Sequence, residues 1–118
     1  MTRWLTAAAL LLLPALAHAC PSIEGLVPNG YQQMTASATA ASPTLPAGTI
    51  LARVIVYSNA IRIRDDGTAP TTTVGMPYGV GANFVLSFES CGPALGRLQI
   101  IRDGATNAEV NLLYYKRP

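Results

Sequence analysis

TILARVIVYSNAIRIRD, residues 49–65, gives the clearest indication of the fold. Its first part, residues 49–58, is β-branched and apolar, which is typical of a central strand buried on both faces for much of its length. In its second part, residues 60–65, Ile61 and Ile63 alternate with two arginines. A period of two predicts a strand with one buried face. Together the two segments predict an all-β fold.

Short segments of the same kind continue on both sides of this stretch. We expect a lead-in strand within residues 32–41, a short edge strand at residues 71–74 and a further strand at residues 83–89. Between them lie residues rich in Thr, Pro and Gly, which are typical of turns and loops. No convincing helical stripe appears after the first 19 residues.

The C-terminal part of the chain is predicted to be a hairpin. Residues 95–102 and 106–116 would be its strands, joined by Asp103-Gly104, a pair favoured in tight reversals. We expect one shared buried side, made of Leu98, Ile100, Val110, Leu112 and Tyr114. Six to eight short, mostly antiparallel strands with this turn spacing predict a small β-sandwich or barrel-like domain.

The first 19 residues, MTRWLTAAALLLLPALAHA, have the organisation of a cleavable export signal. Arg3 supplies a positive start, an apolar helix-forming run follows, and Ala17 and Ala19 are the small residues that a signal peptidase reads. The apolar run is shorter than the ~20 residues that span a bilayer. We therefore expect cleavage after Ala19 and a single β-sandwich domain over residues 20–118, with no stable membrane insertion.

Two alternatives to plain secretion remain open. The N-terminal segment could stay on the chain as a buried or interfacial helix. It could also direct lipidation of Cys20, although Ala17 stands where lipidation normally requires Leu or a similar residue. If the chain is exported, Cys20 and Cys91, its only two cysteines, can form one disulfide. Closing that loop would stabilise the fold by about 4 kcal/mol in the chain-entropy model.

Charge and side-chain chemistry argue against several classes of function. The chain carries a net charge of +2, and removal of Arg3 leaves seven basic and six acidic side chains, a net charge of +1. This balance does not favour nucleic-acid binding. The single histidine, His18, lies in the segment to be removed, which excludes Ser-His and Cys-His catalysis in the mature domain. We expect a non-enzymatic protein without a metal or a cofactor.

Few side chains are candidates for binding. Arg62 and Arg64 share one strand face and could contact an acidic partner, or they could form a solvated face balanced by nearby carboxylates. Tyr57, Tyr114 and Tyr115 could stack on a sugar, although alternation along a strand sends one of the adjacent pair inward.

One segment resembles a known family. Residues 60–78, AIRIRDDGTAPTTTVGMPY, resemble a recurring segment in small proteins of tailed bacteriophages and prophages. In those relatives a strand with alternating Arg runs into Arg-Asp-Asp-Gly-Thr-x-Pro-Thr and then Val-Gly-Met-Pro. LPAGT at residues 45–49 and VNLLYYK at residues 110–116 look like the family's first turn and last strand. The resemblance covers roughly residues 32–116.

The resemblance implies a structural, virion-associated β-domain, such as a head-decoration protein or part of a fibre or spike. Its partners would be other virion proteins, and it could form a homo-oligomer. The export-like N-terminus and the Cys20/Cys91 pair depart from the family, because capsid proteins assemble in the cytoplasm and need neither. The alternative is therefore a periplasmic or secreted binding module that recognises a cell-surface glycan or protein.

In either case we expect the contacts in a candidate interaction loop, residues 65–78, because loops held by a rigid sheet commonly carry them. The alternative is that Gly67, Pro70, Gly75 and Pro77 serve only the turn geometry. The candidate contact residues of this loop and the strand before it are Arg62, Arg64, Asp65, Asp66, Thr68, Met76 and Tyr78.

Overall fold

Two antiparallel sheets make up the part of the chain that the computed structural model describes, residues 22–88 and 95–118. A short 3-10 helix, Leu95–Arg97, accompanies them. The seven strands of these residues are β1 (Val27–Ala36), β2 (Leu51–Ser58), β3 (Ile61–Arg64), β4 (Met76–Tyr78), β5 (Asn83–Ser87), β6 (Gln99–Arg102) and β7 (Ala108–Lys116). One sheet has the order β1-β7-β2-β5 and the other β4-β3-β6. The predicted all-β class and number of strands are confirmed for these residues.

The sharp change from β2 to β3 carries the chain from one sheet to the other. The pairing of β2 with β7 shifts register between Val56 and Ser58, which marks a bulge at the end of the strand. Asn59 then adopts a φ of +56°, a conformation that Asn tolerates better than most residues. Its Nδ2 donates to the carbonyl of Asn107 at 2.8 Å. This bond joins the corner between β2 and β3 to the corner that precedes β7.

The predicted C-terminal hairpin is wrong. β6 pairs with β3, where Ile100 lies opposite Ile63, whereas β7 pairs with β1 and β2 in the other sheet. Asp103-Gly104 therefore begins a crossing between sheets, and Gly104 has a φ of +83°. A period of two identifies the residues that face the core but does not identify the sheet, because facing strands of a sandwich show the same alternation.

The edge strand predicted at residues 71–74 is also wrong, because these residues form a turn. The amide of Val74 donates to Thr71 Oγ1 at 2.9 Å, and the amide of Thr71 donates to the carbonyl of Val74 at 2.9 Å. Local Thr hydroxyl bonds of this kind compete with strand pairing. The edge strand is β4, which begins two residues after Val74, and it contains Pro77, which an edge position tolerates.

The predicted lead-in strand begins and ends earlier than expected, as β1. The chain beyond its end, residues 37–41, lies along β6 instead. The amide of Ala41 donates to the carbonyl of Ile100 at 3.0 Å, and the amide of Arg102 donates to the carbonyl of Ser37 at 3.1 Å. One continuous segment therefore contributes to both sheets and closes one side of the sandwich.

The core lies between the two sheets and contains side chains from both. The five residues predicted to share a buried side are all buried: Leu98, Ile100, Val110, Leu112 and Tyr114. They reach the core from opposite sheets rather than from one hairpin. Tyr114 is 1% exposed, its Oη donates to Gln32 Oε1 at 2.6 Å, and burial raises its pKa to about 12.

Some predictions concern residues outside the described part of the chain. These are the signal-like helix at residues 1–19, cleavage after Ala19, and the Cys20–Cys91 disulfide.

Candidate functional site

The interaction loop, residues 65–78, packs back onto the outer face of the three-stranded sheet. Pro70 is buried, and Ile101 of β6, which lies opposite Arg62 and outside the central core, is only 4% exposed. Gly75 has a φ of +142°, and a Cβ atom there would lie 3.1 Å from both the Ile63 carbonyl oxygen and Pro70 Cβ. The loop thus requires a residue without a side chain at this contact.

Arg62 connects the loop to the rest of the sheet. Its Nε donates to Asp103 Oδ1 at 2.9 Å, and its Nη1 donates to the carbonyl of Gly75 at 3.1 Å. The amide of Gly104 also donates to the carbonyl of Thr72 at 3.1 Å. Because both Arg62 bonds are internal, this candidate residue orders the loop rather than presenting a cation to a partner.

Arg64 and Asp66 form an ion pair at the start of the loop. Arg64 Nε donates to Asp66 Oδ1 at 3.0 Å, and Arg64 Nη2 contacts the second carboxylate oxygen. Oδ1 also accepts a bond from the amide of Thr68 at 3.2 Å, which closes a local turn. These donors, Arg64 first, lower the pKa of Asp66 to about 2 and raise that of Arg64.

An open concavity of about 260 Å³ lies between the two ends of the loop. Its exposed apolar side chains are Val74, 54% exposed, and Met76, 60% exposed. It is lined by Ile63, Arg64, Asp65, Asp66, Val74, Gly75 and Met76. The structure therefore brings four of the seven candidate residues together: Arg64, Asp65, Asp66 and Met76. Val74 was not among the candidates, because its apolar character alone does not distinguish a contact residue from a buried one.

Tyr78 belongs to the framework of the loop. Its ring stacks on that of Phe84 with centroids 4.1 Å apart and planes inclined by 20°. Because Tyr78 lies in β4 and Phe84 in β5, the contact joins the edges of the two sheets. Stacked aromatic pairs typically contribute about 0.5–1.5 kcal/mol beyond their burial.

The three tyrosines considered for sugar stacking do not form one platform. Tyr114 is buried in the core, its neighbour Tyr115 is half-buried, and Tyr57 is 65% exposed. Sequence reasoning missed Tyr31, which is 59% exposed on the four-stranded sheet and whose Oη donates to Asn111 Oδ1 at 3.0 Å. If the first strand had been predicted to begin before residue 31, Tyr31 would have been seen to alternate with Met34 and Ala36, which are buried.

The described residues lack two other kinds of functional feature. Across residues 22–88 and 95–118, no three His, Cys, Asp or Glu side chains come together as a metal site. No helix in the same residues is long and apolar enough to cross a membrane. Comparison with family models, curated proteins and solved structures finds no match.

Proposed function

We propose that the chain is a non-enzymatic, virion-associated structural domain of a tailed phage or prophage, and that it binds other virion proteins through the interaction loop. The observation that carries this proposal is the exposure of Val74 and Met76 on a loop that Arg62 ties to its own sheet. A head-decoration, fibre or spike position is the context implied by the resemblance of residues 60–78 to small phage proteins.

The order of the loop supports a binding role on energetic grounds. A partner that binds a loop already held by hydrogen bonds does not have to restrict its backbone, which lowers the entropic cost of association. Burial of a side chain such as Met76 contributes roughly 1.5–3 kcal/mol. The Arg64–Asp66 pair beside these apolar side chains provides the polar rim that protein interfaces commonly have.

Mass spectrometry of fractions tests the virion assignment. Purified particles, periplasm and culture fluid would each be digested with trypsin. A retained N-terminal segment yields a peptide of residues 4–53, whereas cleavage after Ala19 yields residues 20–53. The uncleaved peptide at stoichiometric amounts in particles would support a virion component and contradict cleavage. The cleaved peptide found only outside particles would contradict the virion assignment.

A pair of substitutions tests the loop itself. Met76→Glu places a charge among the apolar atoms of the concavity, and we expect a loss of incorporation into particles of about tenfold or more. Val80→Glu is the matched control, because Val80 is 64% exposed and does not line this concavity. Equal incorporation of both variants would contradict the assignment of the contact to the loop.

The second candidate function is an exported binding module for a cell-surface glycan or protein. The export-like residues 1–19 and the Cys20/Cys91 pair favour it. Tyr31 adds an exposed aromatic ring beside the amide of Asn111, a combination suited to stacking on a sugar and hydrogen-bonding its hydroxyl groups. This candidate predicts the cleaved peptide and a disulfide in the periplasm or medium, together with glycan-array binding that Tyr31→Ala abolishes. Secreted protein that binds no glycan or surface protein would contradict it.

A further inference from the structure

We propose that the peptide between Asp66 and Gly67 is a latent site of isoaspartate formation, and that Arg64 restrains the reaction by holding the Asp66 carboxylate. The modification lies at the start of the interaction loop. It is a rearrangement of the chain itself in water, and it is independent of the virion assignment. Asp66-Gly67 is one of three Asp-Gly or Asn-Gly pairs in the chain, and the structure distinguishes it from the other two.

The reaction is an attack of the main chain on a side chain. The Gly67 nitrogen bonds to Cγ of the protonated Asp66 carboxyl, one carboxyl oxygen leaves as water, and the amide proton passes to solvent. The product is a five-membered succinimide. Water then adds to its main-chain carbonyl carbon and breaks the original bond to the Gly67 nitrogen, so that the chain runs through Cβ and Cγ of Asp66. One water is lost and one is gained, and nothing is oxidised or reduced.

The surroundings of Gly67 favour the first step. Its amide donates no hydrogen bond to any other described residue, and beyond its two chain neighbours no atom lies within 4 Å of the place where a Cβ would stand. The Asp66 side chain is 51% exposed. The bond from the amide of Thr68 to Asp66 Oδ1, 3.2 Å long, closes a ring that contains the Gly67 nitrogen. This ring keeps the carboxyl close to the nitrogen that attacks it, and such proximity accelerates reactions within a chain.

Asp103-Gly104 has the same two residues in a different environment. The amide of Gly104 donates to the carbonyl of Thr72 at 3.1 Å. The Asp103 carboxylate accepts a bond from Arg62 and is only 28% exposed. Because the attacking nitrogen would first have to release its contact with the loop, we expect little reaction at this pair.

Asn29-Gly30 is the third pair, and its cyclisation would release ammonia in place of water. Asn29 Nδ2 donates to the carbonyl of Ala47 at 3.1 Å and to Thr49 Oγ1 at 2.9 Å. Gly30 lies in β1, where a Cβ would meet Pro46 Cγ at 3.2 Å. Since both the side chain and the main chain are held, we expect little reaction here as well.

Arg64 slows the reaction at Asp66 because it keeps the carboxylate ionised. Arg64 Nε donates to Oδ1 at 3.0 Å, and Nη2 contacts the second oxygen. This contact is the largest cause of the lowered pKa of Asp66, about 2. Only the protonated carboxyl readily releases an oxygen as water. Return of the pKa toward its ordinary value of 3.8 would therefore raise the reactive fraction at neutral pH by about tenfold or more.

Isoaspartate changes the start of the loop in two ways. It adds one methylene to the main chain, and it leaves the carboxylate directly on Cα. The ion pair with Arg64 and the turn closed by Thr68 both depend on the Asp66 side chain, so both are lost. The first residues of the interaction loop would loosen, while Arg62 still holds its far end at the carbonyl of Gly75.

The test is incorporation of heavy oxygen from water. The purified full chain would be incubated in water enriched in the heavy isotope, returned to ordinary water and digested with trypsin. The peptides to compare are residues 65–97, or 63–97 in Arg64→Ala, residues 103–116 and the peptide that contains residue 29. Each succinimide that hydrolyses adds one heavy oxygen, and fragmentation in the mass spectrometer locates it. We expect slow incorporation at residue 66 of the wild type, none above background at residues 29 and 103, and incorporation at residue 66 about tenfold or more faster in Arg64→Ala.

Arg53→Ala is the matched control, because it removes an arginine from β2 in the other sheet, where Nε bonds Asn83 Oδ1 at 2.9 Å. It should leave the rate at residue 66 unchanged. Asp66→Glu keeps the charge but requires a six-membered ring, and it should abolish incorporation there.

The expected pattern in these variants would support the site and the role of Arg64. Equal rates in wild type and Arg64→Ala would overturn the proposal, as would absence of heavy oxygen at residue 66 in both. The same acceleration in Arg53→Ala, or faster incorporation at residue 29 or 103 than at residue 66, would also overturn it.

Discussion

Arg62 and Asp103 lie 41 residues apart in the chain, and Arg62 Nε donates to Asp103 Oδ1 at 2.9 Å. The bond joins β3 to the corner that follows β6. Both side chains are partly buried, 22% and 28% exposed, and the same guanidinium holds the carbonyl of Gly75. One arginine thus connects a sheet, a corner and the interaction loop.

Substitution of Arg62 by Ala should lower the free energy of unfolding by about 1–2 kcal/mol, because it removes two charge-assisted bonds whose partial exposure limits their strength. Urea denaturation followed by circular dichroism measures this. Arg64→Ala is the control, because its partner Asp66 is exposed on the surface, and it should cause a clearly smaller loss. Equal losses would contradict the role assigned to Arg62.

Gly75→Ala should destabilise the protein by about 1–3 kcal/mol through backbone strain and contact with Pro70. The φ of +142° and the 3.1 Å approach of a Cβ to the Ile63 carbonyl oxygen are its two causes. Gly79→Ala is the matched control, because a Cβ at Gly79 meets nothing within 4 Å, and it should change stability by less than about 0.5 kcal/mol. Thermal unfolding of the two variants measures the difference.

Leu112→Ala should cost about 2–5 kcal/mol, because it leaves a cavity where a 0% exposed side chain fills the core. Leu113→Ala, one residue further along β7 and 37% exposed on the opposite face, should cost less than about 1 kcal/mol. Chemical denaturation of both variants checks the facing of the strand. Similar losses would mean that β7 does not alternate between core and solvent.

The carboxyl group of Asp66 should titrate with a pKa of about 2, below its ordinary value of 3.8, when followed by NMR. Since the folded-state pKa is the lower one, this group contributes stability above about pH 3.8 and loses that contribution as the pH falls toward 2. Arg64→Ala should move the pKa back toward 3.8. In Asp66→Asn the stability difference from wild type should shrink as the pH falls through about 2. A wild-type pKa near 3.8 would show that the ion pair is absent in solution.

Local pattern was sufficient for part of the fold. The alternation in residues 60–65 located β3, and the apolar run in residues 49–58 located β2. Both could be predicted because the number of buried faces of a strand determines which of its sequence positions are apolar. It did not locate the turn at residues 71–74, where hydroxyl bonds to the backbone outweigh the β-propensity of Thr.

The candidate site was only partly predictable for a related reason. The sequence indicated a loop rich in Thr, Pro and Gly, and Asp66 with Thr68 forms a contact of short range. It could not indicate that Arg62 bonds Asp103 or that Val74 lies exposed beside Met76, because those relations depend on how distant segments pack.

The order of the amino acids was enough to predict the β character of the chain and the side of most strands that faces the core, because both follow from a side-chain period of two. The tertiary structure was needed to show that β6 and β7 belong to different sheets, and that β5 is the last strand of one of them among the described residues. The reason is that strand pairing is set by hydrogen bonds and packing between distant segments. Two strands that face each other across a core bury their residues in the same pattern as two strands paired side by side.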